Sequence, residues 1–304
     1  MKVCPDCHKV VTALDAVEID GKSYHKSCRT CYKCGKIIRD EFLHPKEVFE
    51  GHNYHFSCLH SASVCCICGK TTHHYVRDYW GNIACREHGT TCQYCGTIIK
   101  NGQSFKYSYF ADGGKKIVDR FICDNCADSI VKTPEEIERC RAEVMEVFQK
   151  KDITGIPNDI PISLSDMKEE SKKLGRGLWG LNSGKVSPSR LHYSCQITIH
   201  KNLPRLVFKG VLAHELLHSW LTLYAIRLPD NEKEGFCNLG KFLILEQEKA
   251  KESKYLIHWL LEENKDPIYG EGFRLMKKRL EKLGWKGLMD ALLWENKAPE
   301  HVDL

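Results

Sequence analysis

Two histidines four residues apart, His214 and His218, bracket a glutamate, Glu215, in the run His-Glu-Leu-Leu-His. On a helix, positions i and i+4 share a face, so both imidazoles can reach one metal ion. Glu215, one position on, reaches the side where a water on that ion would sit. Hydrolytic zinc takes three protein ligands and leaves a fourth position to water, so a third ligand must come from elsewhere. The run NEKEGFCNLGKFLILEQ reads as the next helix and offers Glu232 and Glu234, with Glu248 just beyond it. The chemistry of such a set is metal-assisted hydrolysis: the ion polarises a carbonyl and activates a water, and Glu215 takes the proton and hands it to the leaving amine. A further donor to the carbonyl oxygen is usual, and Tyr269, Tyr224 and His258 are the candidates. Asn238, one helical turn beyond Glu234, is placed to orient a ligand. The competing reading is a surface helix with two solvated histidines. Against it, Val211, Leu212, Leu216, Leu217, Trp220 and Leu221 make the helix largely buried, and buried imidazoles and carboxylates need partners.

The second chemical feature is cysteine. The chain has 17 cysteines, 14 of them before residue 127. An odd count with thiols paired two residues apart argues against a disulfide framework and for zinc. Cys4, Cys7, His25 and Cys28 make one four-ligand set, and Cys31, Cys34, His55 and Cys58 a second that abuts it. His52 and His60 are alternatives for the His55 position. Cys65, Cys68, Cys85 and His88 make a third set, and Cys92, Cys95, Cys123 and Cys126 a fourth. Cys66 is a register competitor in the third set and is assigned no metal. Four protein ligands close a site, so these four ions hold shape and do not catalyse. This half is polar and short of aliphatic residues, and zinc binding, worth roughly 10–16 kcal/mol, can fold what its core cannot.

The positioning elements follow. Thr133-Pro134-Glu135-Glu136 is a helix start with a capping box, and Ile137, Cys140, Val144 and Phe148 give that helix one apolar face. Residues 160–165 and 191–200 have strand character. Tyr193, Cys195, Ile197 and Ile199 alternate with polar residues as in a half-buried strand, which makes Cys195 core and offers the strand for pairing with an extended substrate. The His-Glu-Leu-Leu-His helix starts near Asn202 and Pro204 and runs to about Tyr224. Cys237 reads as core. YSYFADGGKKIVDR reads as a hairpin turning at Asp112-Gly113-Gly114. Amphipathic helices follow residue 252, and the tail 295–304 is loosely ordered or docks into the cleft. The spacing predicts three modules: 1–62, 63–132 and 133–304.

The first two ligand sets resemble a LIM domain, with His55 where cysteine is more frequent; the next two resemble a diverged LIM domain with an insertion. LPRLVFKGVLAHELLHSWL, EGFC and IYGEGFR resemble the peptidase domain of the plant LIM-domain growth regulators, the ubiquitin-activated "Da-one" peptidases. The resemblance extends over essentially the whole chain. It implies an α+β chain: zinc-ribbon-like LIM and LIM-like modules, then an α-rich zincin domain with a small sheet. It implies five zinc ions, four structural and one catalytic. The catalytic ion is held by His214, His218 and Glu234, the last because Glu234-Gly235-Phe236 resembles the third-ligand segment of glutamate-zincins, with Glu215 as general base. Plant members have ubiquitin-interacting motifs ahead of the first LIM domain. Here Cys4 follows Met1-Lys2-Val3, which leaves no room for them, sets ubiquitin-dependent activation aside and suggests a minimal bacterial relative.

The rest of the composition narrows the class. Net charge is +5, from 45 basic and 40 acidic residues, with no dense basic stripe, which disfavours a nucleic-acid partner. No stretch reaches the ~20 apolar residues of a membrane helix, the N-terminus has no secretory apolar core, and free thiols suit the reducing cytoplasm. The expectation is an endopeptidase acting on a protein substrate, with the LIM pair as an interaction or regulatory element. The alternative is a non-enzymatic LIM adaptor with a silent metal-binding domain.

Overall fold

The computed structural model describes residues 2–39, 46–49, 51–60, 63–72, 75–100, 105–111, 116–174, 178–186 and 193–296; of these, 57, 60, 105–120, 172, 174, 186 and 193 are described by backbone alone. The architecture is mixed α/β, with Cys/His clusters of LIM type toward the N-terminus and a helical region toward the C-terminus. Two compact units emerge, Met1–Gly89 and Thr90–Leu304.

The first unit is a series of antiparallel hairpins: β1 (Ala16–Ile19) with β2 (Lys22–His25), β3 (Lys46–Phe49) with β4 (His52–His55), β5 (Ser63–Val64) with β6 (Thr71–Thr72), and β7 (Tyr75–Arg77) with β8 (Ile83–Cys85). Short helices α1 (Lys26–Arg29) and α2 (Phe56–His60) and a 3-10 turn, Arg86–His88, follow β2, β4 and β8. Each Cys-x2-Cys turn closes with the N–H of the residue four on bonding back to the first cysteine's carbonyl: His8 to Cys4, Gly35 to Cys31, Gly69 to Cys65. Those closing residues have left-handed φ of 57°, 69° and 70°, which glycine adopts freely and histidine does not. The apolar cores are small, Ile19 with Tyr24 in one place and Ile38 with Tyr54 in another, so metal ligation must supply stability that burial does not.

The second unit begins with a fourth turn of the same kind, Gly96 N–H to Cys92 carbonyl. β9 (Phe105–Ala111) and β10 (Lys116–Ile122) then pair as a hairpin; its expected turn at 112–114 lies outside the described residues. Next come α3 (Asp124–Asp128) and α4 (Pro134–Gln149), the latter with the Thr133–Glu136 capping box and with Ile137, Cys140, Val144 and Phe148 buried. β11 (Ile162–Ser165), α5 (Lys168–Leu174), β12 (Gly180–Val186) and β13 (Tyr193–His200) lead to α6 (Arg205–Leu223), α7 (Asp230–Gln247), α8 (Lys251–Ile257), a π-helical turn at His258–Glu262, and α9 (Gly270–Glu295), which kinks at Gly284.

Two features depart from the sequence reading. β13 is the central strand: β11 pairs parallel on one side and β12 antiparallel on the other. It is paired on both sides from Ile197 to Ile199; among the described residues the edge beside α6 belongs to β12. Second, the compact unit that contains the helical half begins at Thr90, ahead of the expected module boundary near residue 132. Cys92, Tyr94, Cys95, Ile99, Ile122 and Cys126 share one apolar core with α4, α6, α7 and α9. Backbone bonds tie the residues after Cys126 to the entrance of α6: Arg205 N–H to Ser129 carbonyl at 2.7 Å, Val131 N–H to Leu203 carbonyl at 3.2 Å, and a bridge between Ile130 and Pro204. Pro204, not Asn202, caps α6.

Candidate metal centre

α6 is buried along most of its length, with 14 of its 19 residues inside, because α7, β12, β13 and α4 all pack on it. That burial brings His214 and His218 onto one face, and α7, returning alongside, brings Glu234 to meet them. His214 Nε2 lies 3.1 Å from His218 Nε2, and Glu234 Oε2 lies 3.2 Å and 3.4 Å from the two. Zinc with bonds of about 2.0–2.1 Å in tetrahedral geometry requires ligand atoms about 3.3–3.4 Å apart, so the three atoms match one face of a zinc tetrahedron. Of the other third-ligand candidates, Glu232 pairs with Arg279 and Glu248 with Lys209.

The electrostatics of the two rings differ: burial opposes a charge on both, yet Cys237, Glu234 and Glu215 raise His218 well above the usual histidine range. Burial pushes the His214 pKa down to about 3, which keeps the ring neutral and its lone pair available. Burial would raise the Glu234 pKa, but hydrogen bonds from His214 and His218 outweigh it and hold the carboxyl well below its usual range. Burial raises Glu215 to about 7. Its backbone is fixed by Asn182 of β12, whose amide donates to the Glu215 carbonyl at 2.9 Å and to Ser219 Oγ at 2.7 Å, while Cys195 Sγ donates to Asn182 Oδ1. Gly180 leaves room for the Glu215 carboxylate: a methyl group there would lie 2.3 Å from Oε1.

Two adjoining cavities of about 320 and 300 Å³ share Leu178, Gly180, His214, Glu215 and Tyr269 and form one groove. One arm runs past Asn182, His218 and Glu234, the other past Trp179, Val211, Asn238 and Lys241. Tyr269 therefore stands at the groove. Tyr224 packs on Trp220 with ring centroids 5.1 Å apart and crowds Gly155, and His258 lies against Trp259; neither lines either cavity. Asn238 touches no ligand: it donates to the Tyr269 carbonyl and accepts from Lys241. Asn182, Gly180 and Lys241 were not singled out from the sequence, although Glu234, Asn238 and Lys241 recur at i, i+4 and i+7 and so share a helix face.

The four cysteine-rich sets also converge, each with ligand atoms within 4.8 Å of one another. Cys7 Sγ is 3.2 Å and Cys28 Sγ 3.9 Å from His25 Nδ1. Cys34 and Cys58 lie 3.5 and 3.8 Å from His55 Nδ1, Cys65 and Cys85 lie 3.6 and 3.1 Å from His88 Nδ1, and Cys95 lies 3.7 Å from Cys123. Zn–S bonds of about 2.3 Å place sulfurs about 3.8 Å apart, so these sets fit zinc as well. His25 Nε2 donates to the Val10 carbonyl, leaving Nδ1 for the metal. Burial opposes ionisation of Cys4, Cys31 and Cys65, yet backbone N–H donors bring them down to about 6, 6 and 5. His52 stacks on Tyr32, and Cys66 lies outside the third set.

Comparison with known proteins agrees with this division. Residues 4–49 match the family model for the LIM domain, and residues 165–258 match the model described as DA1-like, Protein DA1. The chain is 20% identical to Protein DA1 of Arabidopsis thaliana over 98% of its own length and 68% of that protein's. It is 25% identical to LIM domain-containing protein HDR3 of Oryza sativa subsp. japonica (81% and 57% of the two chains) and 21% identical to Protein DA1-related 2 of Arabidopsis thaliana (81% and 54%). It thus spans little more than half to two thirds of these relatives' lengths. All three are plant proteins and give no support to a bacterial source. The chain carries a LIM domain and, enclosing both histidines and Glu234, a DA1-like segment whose relatives are plant DA1 proteins.

Proposed function

We propose that the chain is a zinc-dependent endopeptidase of zincin type acting on extended segments of protein substrates. On this reading 133–304 is the catalytic domain, and 1–62 and 63–132 are LIM and LIM-like modules that select the substrate or regulate access. The observation that carries it is the placement of Glu215: a buried carboxylate beside a three-ligand set that matches one face of a zinc tetrahedron, at the crossing of a groove. His214, His218 and Glu234 would hold zinc, which when bound polarises a peptide carbonyl and acidifies a water. Glu215 takes the proton from that water and passes it to the leaving nitrogen, a task suited to a pKa near neutrality. Asn182 and Ser219 keep Glu215 in register, Gly180 leaves its carboxylate room, and the Tyr269 hydroxyl is the candidate donor to the developing oxyanion. β12, with one ladder edge open to the groove, can pair with a substrate strand. No described helix is long and apolar enough to cross a membrane. Ubiquitin dependence rests on family resemblance alone and is tested by adding ubiquitin chains to the assay below.

The test is peptide-level mass spectrometry of a proteome incubated with zinc-loaded wild type and with Glu215→Gln. New termini should appear only with wild type, while both proteins bind five zinc ions. Equal cleavage by the variant refutes the role of Glu215; no cleavage by either leaves the non-enzymatic LIM adaptor.

A further inference from the structure

The groove arm beyond Glu215 ends on a cation. Lys241 lies on α7 two turns past Glu234, on the same face. Gly210 of α6 gives its stem room: a methyl group there would sit 3.2 Å from Lys241 Cγ. Its ammonium donates to Asn238 Oδ1 at 3.3 Å. Among the described residues no carboxylate lies within ion-pair distance of it. Lys209 on α6 shows the contrast: its ammonium is paired with both Glu143 and Glu248. The arm around Lys241 has apolar walls, Trp179, Val211 and Leu260. Besides Glu215 at the crossing, the acidic residue that lines this arm among the described residues is Asp266, which accepts the N–H groups of Ile268 and Tyr269. Burial lowers the Lys241 pKa, and Glu215 and Glu234 work against that shift. Lys241 is therefore a part-buried cation, short of a counter-charge, at the end of a cavity large enough for a side chain.

We propose that Lys241 is a specificity-determining residue: it receives a carboxylate of the bound peptide, on the C-terminal side of the bond presented to Glu215. The side follows from strand direction. The chain runs from Trp179, in the Lys241 arm, through Gly180 at the crossing to Gly184 of β12, in the Glu234 arm, so a peptide that pairs antiparallel to β12 places its C-terminal portion at Lys241. The carboxylate is either an Asp or Glu side chain or a free chain terminus. The inference rests on the peptidase reading, which supplies the scissile bond.

The experiment uses the zinc-loaded full chain and two matched peptide pairs built on a sequence cut by wild type: Glu against Gln after the scissile bond, and free acid against amide at the C-terminus. Wild type should favour one charged member by about tenfold in kcat/KM, as for a part-buried charge pair, and the favoured pair identifies the source. Lys241→Met and Lys241→Gln should bring the ratio within about twofold, with zinc content kept and the charged-to-neutral ratio, not the absolute rate, as the readout; Lys241→Glu should reverse it toward a lysine peptide. No preference in wild type, or a preference that survives Lys241→Met, overturns the assignment. Should no peptide be cut, the peptidase reading falls, and fluorescence anisotropy of Glu/Gln and acid/amide pairs of one extended peptide of arbitrary sequence on Glu215→Gln protein still decides for Lys241: equal binding of charged and neutral peptides refutes it, and tighter binding of the charged member that Lys241→Met abolishes supports it.

Discussion

Replacing Gly180 with alanine tests the geometry of the general base without touching it. The added methyl group would lie 2.3 Å from Glu215 Oε1 and 2.7 Å from Val211 Cγ1, whereas ordinary contact begins at 3.4 Å. The nearest atom is the free end of a side chain, so the carboxylate gives way by about 1 Å while α6 stays, and a displacement of that size costs roughly a hundredfold in rate. Stability should change by under about 1 kcal/mol, since the alanine also restricts the unfolded chain. The assay is kcat/KM on a cleaved peptide, with zinc content and thermal midpoint measured on the same samples. Glu215→Asp withdraws the carboxylate from the clash, so Gly180→Ala should add little to that variant. The reasoning is refuted if Gly180→Ala stays within about threefold of wild type, or if it costs the full hundredfold again in the Glu215→Asp background.

Metal analysis should give five zinc ions per chain; a chelator should remove one first, Glu234→Ala should lower the total to four, and loss of all five at one rate would contradict an open three-ligand site. Cys126→Ser should abolish peptide cleavage and lower the melting temperature of the 90–304 unit, whereas Cys34→Ser should leave small-peptide cleavage within about threefold; the opposite pattern would contradict the shared core. Lys209 and Glu143 set a pH window. Burial opposes both charges, but Lys209 is raised by Glu248 and Glu143, and Glu143 is lowered by Lys209 and Arg205. The lysine's contribution holds below about pH 10.4 and fades as pH rises through its folded value; the glutamate's holds above about pH 4.3 and fades as pH falls through its own. Lys209→Met should cost about 1–2 kcal/mol within that window, screening by the part-exposed glutamates keeping the loss small, and denaturant unfolding across pH should show the full loss at pH 7 and a progressively smaller one as pH falls below about 4 or rises above about 11.

What the sequence made legible were features written in local spacing. The ligand sets follow from pairs two or three residues apart, the capping box at Thr133 from four adjacent residues, and the Ile137–Phe148 face from helical period. Features that depend on long-range pairing were hidden. Alternation marks Tyr193–His200 as a strand but says nothing of which neighbours it takes, so its place between β11 and β12 was not legible. The change in composition near residue 132 marks where cysteines stop, not where packing stops; Tyr94 and Ile122 read as ordinary small-domain residues until Leu203 and Val207 are seen in the same core. Lys241 was not singled out because the groove that surrounds it is built from β12, α6 and the loop before α9.

The union of Cys92–Cys126 with the helical half bears on how this chain can be cut and how it ages. A fragment beginning at Pro134 would lose the strap that pins the start of α6 and would bare a greasy seam along Leu203 and Val207, inviting aggregation. One beginning at Thr90 keeps the strap and should express as a tractable enzyme core. If the proposed peptidase activity holds, oxidation of that one cysteine quartet would silence it from a distance, leaving the remaining three clasps free to go on gripping whatever they grip.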